Sequence, residues 1–260
     1  GIPNYRFPRK RLAQDIDYIL KTGVEVRLNT QIGRDISMED LEKEYDAVYI
    51  SIGAQTDKNF DIEGADSLNV ISAVNLLRDV GLEKRLDFSG LKVAVIGGGN
   101  VAMDCARTAV RANAEKVSII YRRQEKDMTA SPVEVRGAIE EGAELFTLQA
   151  PLRVEADEEG KAVALWTQPQ IIGEMDKKGR PAPEKAKRSE KRIAADVVVV
   201  AIGQGVEELH GDAVAVHQHA EGAAPHLLKG HMGQRAAFLL LNRRRVGDLF
   251  QIAVSYTHLR

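Results

Sequence analysis

Between residues 92 and 121 the sequence admits few folds. Lys92-Val-Ala-Val-Ile96 is a β-branched strand, and it runs directly into Gly97-Gly-Gly-Asn-Val-Ala102. Apolar spacing then predicts a helix over residues 100–113, and Lys116-Val-Ser-Ile-Ile-Tyr121 a second strand. Strand, glycine turn, helix and strand make a βαβ unit, whose strands must be parallel. The pattern Gly97-x-Gly99-x-x-Ala102 sits at its first turn. There Gly97 allows a tight turn, Gly99 lets backbone approach a pyrophosphate, and Ala102 permits close helix–strand packing. A plain tight turn would need none of this context.

The ligand implied is a dinucleotide, held against the free N–H groups and positive dipole of the helix that begins near Asn100. Its type is decided where the second strand ends. An acidic residue there would grip the ribose hydroxyls of NAD, but the sequence reads Tyr121-Arg122-Arg123. Guanidinium groups pair with a 2′-phosphate through charge-assisted, often bidentate hydrogen bonds, so NADP(H) is favoured. The alternative is a surface strand closing on two arginines that pair with Glu125 and Asp127. Asp104 reads as a dipole partner in the helix and Cys105 as packing. No nucleophile with a paired base is visible, and hydride transfer needs none, because the cofactor carries that chemistry.

Upstream, residues 10–22 have helical spacing with Gly23 as a stop, Val24–Leu28 alternates as a strand, and Ser37-Met-Glu-Asp40 has the capping-box pattern of a short helix. Asp46–Gly53 reads as a buried strand, and Asp57–Phe88 as a connector with one helix over residues 72–80. Downstream, a helix is expected over 132–142, strands near 144–148 and 162–168, a solvated loop within an antiparallel excursion over 176–192, and a buried strand over 196–203. This alternation is that of an α/β protein with a parallel sheet.

At 260 residues, two domains are expected. A net charge of −2 predicts no attraction to nucleic acid or to anionic membranes. No apolar run is long enough to span a bilayer and no secretory signal opens the chain, so a cytoplasmic location is expected. The single cysteine excludes an internal disulfide framework, a redox dithiol and an iron–sulfur cluster within this sequence. Composition breaks near residue 209: all six histidines follow it. The His217-x-His219 pair offers a local chelate but no repeated ligand spacing, so no metal site is assigned. The other reading is that residues 207–260 are an aberrant tail, out of frame or disordered; Val254–Arg260 looks like translated sequencing adapter.

Five segments together resemble the small (beta) subunit of NADPH-dependent glutamate synthase and its relatives, among them the electron-input half of dihydropyrimidine dehydrogenase and subunits of ferredoxin–NADP oxidoreductases. They are Gly1–Pro8 (GIPNYRFP), Tyr45–Gly53, Val93–Asp104, Tyr121–Arg123 and Val199–Gln204, and they stand in family order. The resemblance implies an α/β flavoprotein with two dinucleotide-binding domains: part of a FAD-binding domain with connector over 1–88, and a Rossmann-type NADP-binding domain over 89–206. It implies that Arg6 and Ile32 approach FAD, that Gly53 closes a cofactor-facing strand, and that Gly98–Val101, Arg122–Arg123 and Ala201-Ile202-Gly203 face NADP.

The implied activity is hydride transfer between NADPH and FAD, with electrons passing to or from an iron–sulfur or glutamate-synthase-like partner subunit. The sequence departs from the family by lacking the cysteine-rich segment, the first glycine-rich loop and the later Gly-Asp segment, and by having Thr129 after Met128. FAD is therefore expected in the intact parent protein, and poorly or not at all in this chain. Two other functions stand beside this one. A non-catalytic NADP-binding fragment is the first. The second is a stand-alone NADP-dependent dehydrogenase, which needs a proton donor near the nicotinamide, whereas Tyr121 lies at the adenosine end.

Overall fold

The computed structural model describes residues 1–51, 53–54, 56–175, 179, 181–205 and 240–241. The expected aberrant tail, with His217 and His219, falls outside them apart from residues 240–241. In chain order the elements are α1 (Arg9–Leu20), α2 (Met38–Glu44), β1 (Ala47–Val48), β2 (Thr56–Asp57), β3 (Val70–Ser72), α3 (Ala73–Gly81), β4 (Lys92–Ile96), α4 (Asn100–Arg111), β5 (Lys116–Ile120), α5 (Pro132–Glu140), β6 (Glu144–Phe146), β7 (Gln149–Ala156), β8 (Ala162–Met175), β9 (Pro181–Lys185), β10 (Lys191–Ala194), β11 (Val197–Val200), β12 (Gln204–Gly205) and β13 (Leu240–Leu241). They form two compact units, Gly1–Phe7 with Asp57–Gln204, and Pro8–Thr56 with Gly205–Arg260.

In the first unit a five-stranded sheet has the order β3-β11-β4-β5-β6. Every neighbouring pair is parallel. Strand alternation divides its side chains between two cores. Val93, Val95, Val117, Ile119, Val197 and Val199 pack with residues of α3, α4 and α5, among them Leu76, Met103, Ala106 and Val135. Ala94, Ile96, Ile120 and Val198 face the opposite way, against Val154, Leu165 and Ile193 of β7, β8 and β10. The parallel sheet is thus covered on both faces, as its uninterrupted apolar strands require. Helices cover one side and an antiparallel sheet, β10-β8-β7 with β9 on β8, covers the other.

Several local expectations are corrected. Val70–Ser72, within the supposed connector, pairs in parallel with β11 as the edge of the sheet. Its three residues are too few to show a period. Gln149–Ala156 is an eight-residue strand; its register shifts between Pro151 and Arg153, which interrupts the alternation that would have announced it. The supposed loop over 176–192 contains β9, paired antiparallel to β8. Pro181 and Pro183 alternate there, so their missing N–H groups fall on one side of an edge strand.

The second unit has α1, with no buried residue, and α2, capped as expected: Asp40 N donates to Ser37 Oγ at 3.1 Å. Val24–Leu28 joins no ladder among the described residues, and within the expected strand over Asp46–Gly53 only Ala47–Val48 is paired, antiparallel to Leu240–Leu241. Tyr49 is 53% exposed, so this strand is not the buried one expected. Alternation supplies the face of a strand, but the hydrogen bonds must come from neighbours on either side. No described helix is long and apolar enough to cross a membrane.

Candidate dinucleotide site

The order of the parallel sheet reverses at β4. From there the chain builds outward through β5 and β6, whereas β11 returns to the other side of β4. The crevice outside the carboxyl ends of two such strands is where open α/β sheets bind ligands. Val200 lies opposite Ile96, and Ala201 N donates to Ile96 O at 2.8 Å. The segments Gly97–Val101 and Ala201-Ile202-Gly203, far apart in sequence, therefore leave the sheet side by side. Arg122 and Arg123 follow the carboxyl end of β5, next to β4 in the same edge.

Each glycine of the loop has a separate steric reason. Gly97 has φ +147°, and a Cβ there would collide with the Ala201 carbonyl oxygen and stand 3.2 Å from the Ala102 methyl. Gly98, an unspecified position in the motif, lies flat against the Tyr121 ring, which a Cβ would penetrate. Its carbonyl accepts from Thr129 N and Ala130 N, both at 3.0 Å, so the loop after β5 is latched to the glycine turn. Gly99 is the N-cap of α4 and gives it no side-chain cap. The nearest atom to an added Cβ is Thr129 Oγ1 at 3.4 Å, an ordinary contact, so this position is not closed off by the protein's own backbone. Asn100 is exposed and Ala102 fully buried. The result is a helix N-terminus with no side-chain cap and no acidic residue in its first turn, where the Ala102 and Met103 N–H groups turn back to the Gly99 carbonyl at 3.0 and 3.2 Å and those of Asn100 and Val101 are left to a ligand. Such an end attracts anions.

The two arginines differ. Arg122 is exposed, and no ion pair of it with Glu125 or Asp127 stands among the described residues. Arg123 is buried, and its Nε donates to the Pro181 carbonyl at 2.8 Å, tying the loop to β9. Asp127 is used locally: its carboxylate accepts from Gln124 N at 3.3 Å, and its carbonyl accepts the Tyr121 hydroxyl at 2.7 Å.

At the end of β11, Ile202 is 39% exposed. Gly203 has φ +130° with the Lys58 side chain beside it, and its carbonyl accepts from Lys58 N at 3.2 Å. Sequence reasoning missed Lys58 because its place depends on a segment some 140 residues away, a separation no local pattern encodes.

Three further residues are expected on the flavin side. The Arg6 guanidinium lies on Asp104 of α4, at 2.7 and 2.8 Å, and on Glu134 of α5 at 2.9 Å. Ile32, half-buried, bridges to Ile36, and Gly53 has φ +69°; both belong to the second unit. Cys105 is fully buried and burial pushes its thiol pKa up, so it packs rather than reacts. No cluster of metal-ligating side chains occurs among the described residues.

Residues 8–224 match the family described as pyridine nucleotide-disulphide oxidoreductase. The chain belongs to this family. It is 40% identical over 209 residues to the NADP(+)-dependent formate dehydrogenase subunit beta of Moorella thermoacetica, covering 80% of this chain and 29% of that protein. It is 40% identical over 207 residues to the NADPH-Fe(3+) oxidoreductase subunit beta of Geobacter sulfurreducens, covering 78% and 31%. To the glutamate synthase [NADPH] small chain of Escherichia coli K12 it is 34% identical over 213 residues, covering 78% and 45%. The chain thus spans less than half the length of these curated relatives. Among solved structures, Mycobacterium tuberculosis FprA in complex with NADPH superposes with a TM-score of 0.66 at 18% identity, over 81% of this chain and 62% of FprA. That likeness bears on fold: the α/β architecture of a pyridine-nucleotide oxidoreductase, one Rossmann-type domain and part of a second, as the sequence predicts.

Proposed function

We propose that this chain carries the NADP(H)-binding domain of an NADPH-dependent FAD oxidoreductase. When bound, the nicotinamide supplies or accepts a hydride and the flavin of the intact parent protein is its partner. The observation that carries the reading is the Gly97–Gly99 cradle. A Cβ at Gly97 or Gly98 would strike the protein itself, while Gly99 is bare toward the uncapped start of α4. A pyrophosphate fits there because it supplies acceptors to the Asn100 and Val101 N–H groups, whereas Ala102 N already donates to the Gly99 carbonyl.

In this reading Gly97–Val101 bind the pyrophosphate, Arg122 pairs with the 2′-phosphate, and Ala201–Gly203 wall the crevice. Arg123, held by Pro181, fixes the loop from which Arg122 projects. Arg6, Ile32 and Gly53 are the flavin-side residues of the proposal. Among the described residues no second glycine cradle stands at a helix N-terminus, so FAD is assigned to the intact parent protein. The names of the relatives, each a subunit or small chain, support electron exchange with an iron–sulfur or glutamate-synthase-like partner subunit.

The test is calorimetric titration of the whole chain with NADP+ and NAD+, beside Arg122→Ala. A preference for NADP+ of about tenfold, near 1.4 kcal/mol, that vanishes in the variant is expected. Equal binding of both nucleotides by the parent refutes the role of Arg122. Arg123 is left intact, since removing its bond to Pro181 would disturb the loop for reasons unrelated to phosphate. A second reading, a nucleotide-binding piece without turnover, is favoured by the absence of any buried residue in α1. Flavin absorbance in the purified chain would count against it.

A further inference from the structure

Gly1–Phe7 belongs to the same compact unit as the dinucleotide loop, although Pro8–Thr56 intervenes in sequence. Tyr5 and Arg6 fasten it to α4. The Tyr5 ring lies under Arg107 and Arg111 of α4, with guanidinium carbons 4.7 and 4.2 Å from its centre, and its hydroxyl donates to the Asp104 carbonyl at 3.3 Å. Arg6 binds both oxygens of the Asp104 carboxylate and reaches Glu134 on α5. From Glu134 the charges continue to Arg107 at 2.7 Å, then to Glu141 at 2.6 Å and Arg111 at 2.7 Å. The N-terminal ends of α4 and α5 are also joined directly, Ser131 N donating to Asn100 Oδ1 at 2.9 Å.

Asp104 is the unexpected member. It is a buried carboxylate four residues inside α4, about 6 Å from the helix start at 1.5 Å per residue, with its Cβ inclined toward that start. Left alone it would oppose the positive helix end and repel any anion bound there. Burial raises its pKa, and the hydrogen bond and charge of Arg6 work against that rise. The other groups facing it are Tyr5, Glu134 on α5 and Arg107 on its own helix.

We propose that Arg6 is a positioning residue for the dinucleotide site: it neutralises Asp104 and, through Glu134, holds α5 against α4, so that the first turn of α4 offers an unopposed positive end to the pyrophosphate. This rests on the reading of Gly97–Val101 as the NADP(H) site, and it gives Arg6 a task separate from its expected approach to FAD.

The experiment uses the whole chain, with Arg6→Gln, Asp104→Asn and the double variant, titrated with NADP+ near pH 8 and pH 6. Arg6→Gln weakens NADP+ binding about tenfold near pH 8, the order expected for one uncompensated charge at a helix end. The deficit relative to parent shrinks toward pH 6, because an unpaired Asp104 protonates more readily. Adding Asp104→Asn returns affinity to within about threefold of parent, a rescue that a merely structural role of Arg6 would not give. Parent-like affinity in Arg6→Gln, or a loss relieved neither by the second substitution nor by acid, overturns the proposal.

Amide hydrogen exchange reads the clamp without nucleotide. Amides of residues 100–103 and of α5 exchange faster in Arg6→Gln, and unchanged exchange there overturns the clamp. If the parent binds no NADP+, the reading of Gly97–Val101 fails and takes the electrostatic role with it, whereas accelerated exchange would still support the mechanical one.

Discussion

Gly97 and Gly99 flank one residue, yet substitution by alanine should act on different properties of the chain. At Gly97 the backbone has φ +147°, and the new Cβ would overlap the Ala201 carbonyl oxygen. The backbone strain costs on the order of 1–3 kcal/mol. Relief of the overlap must move Ala201, whose N–H bonds Ile96 at 2.8 Å between two buried strands, so a total of about 3–4 kcal/mol is expected. For a unit of this size that lowers the melting temperature by roughly 6–16 °C. At Gly99 φ is −101°, which any residue adopts, and nothing lies closer than 3.4 Å. Gly99→Ala should therefore cost under about 1 kcal/mol of stability but lose at least about tenfold in NADP+ affinity, because its methyl enters the space in front of α4. Urea unfolding followed by circular dichroism, with calorimetric titration of each variant, separates the two effects. A stability loss for Gly97→Ala below about 1 kcal/mol would refute the steric argument, and undiminished NADP+ binding by Gly99→Ala would refute the anion site.

Gly98→Ala should drive the Tyr121 ring from its place and lower stability by about 1–3 kcal/mol as an overpacking defect, part of which Tyr121→Ala in the same chain recovers; additive losses in urea titrations would show that the two do not touch. Met103→Ala removes a fully buried side chain from between α4 and the sheet, with an expected cost of about 2–5 kcal/mol by the same measurement. The Tyr5 hydroxyl is raised to about 12 by burial and by the Asp104 charge. Its folded value exceeds its unfolded value near 10, so its contribution is complete below pH 10 and disappears as pH rises toward 12. Melting temperatures recorded between pH 9 and pH 11.5 should therefore fall less steeply in Tyr5→Phe than in the parent, and parallel curves would contradict this.

The nucleotide unit was legible in sequence where a local period coincided with a cap or a glycine. Val93 to Ile96, Val117 to Ile120 and Val197 to Val200 are buried on both faces, so their composition alone announced strands. Ser72 and Ser37 announced their helices because each accepts a backbone N–H three residues on. What escaped notice was decided by distant partners: β3 is a strand because β11 lies beside it, and β9 because β8 extends far enough to pair with it. Conversely, Val24–Leu28 alternates but has no pairing neighbour among the described residues. The same holds for the site. The motif identified Gly97, Gly99 and Ala102, but the separate duties of Arg122 and Arg123 follow from Pro181, and those of Arg6 from Asp104 and Glu134. Ion pairs between residues about a hundred positions apart leave no trace in local spacing.

The position of β11 bears on how the chain is made. It lies between β3 and β4 and hydrogen-bonds both, yet it is the last strand of that sheet to be synthesised. Until Val197–Val200 emerge, β3 has no partner strand and β4 shows a bare edge that is apolar from Val93 to Ile96, the kind of surface that invites pairing between chains. Completing the sheet requires contacts of long sequence separation, which form slowly. A ribosome-bound chain halted at residue 195 should therefore hold its βαβ core in protease-sensitive form, and a few further residues, once beyond the exit tunnel, should convert it to a resistant one.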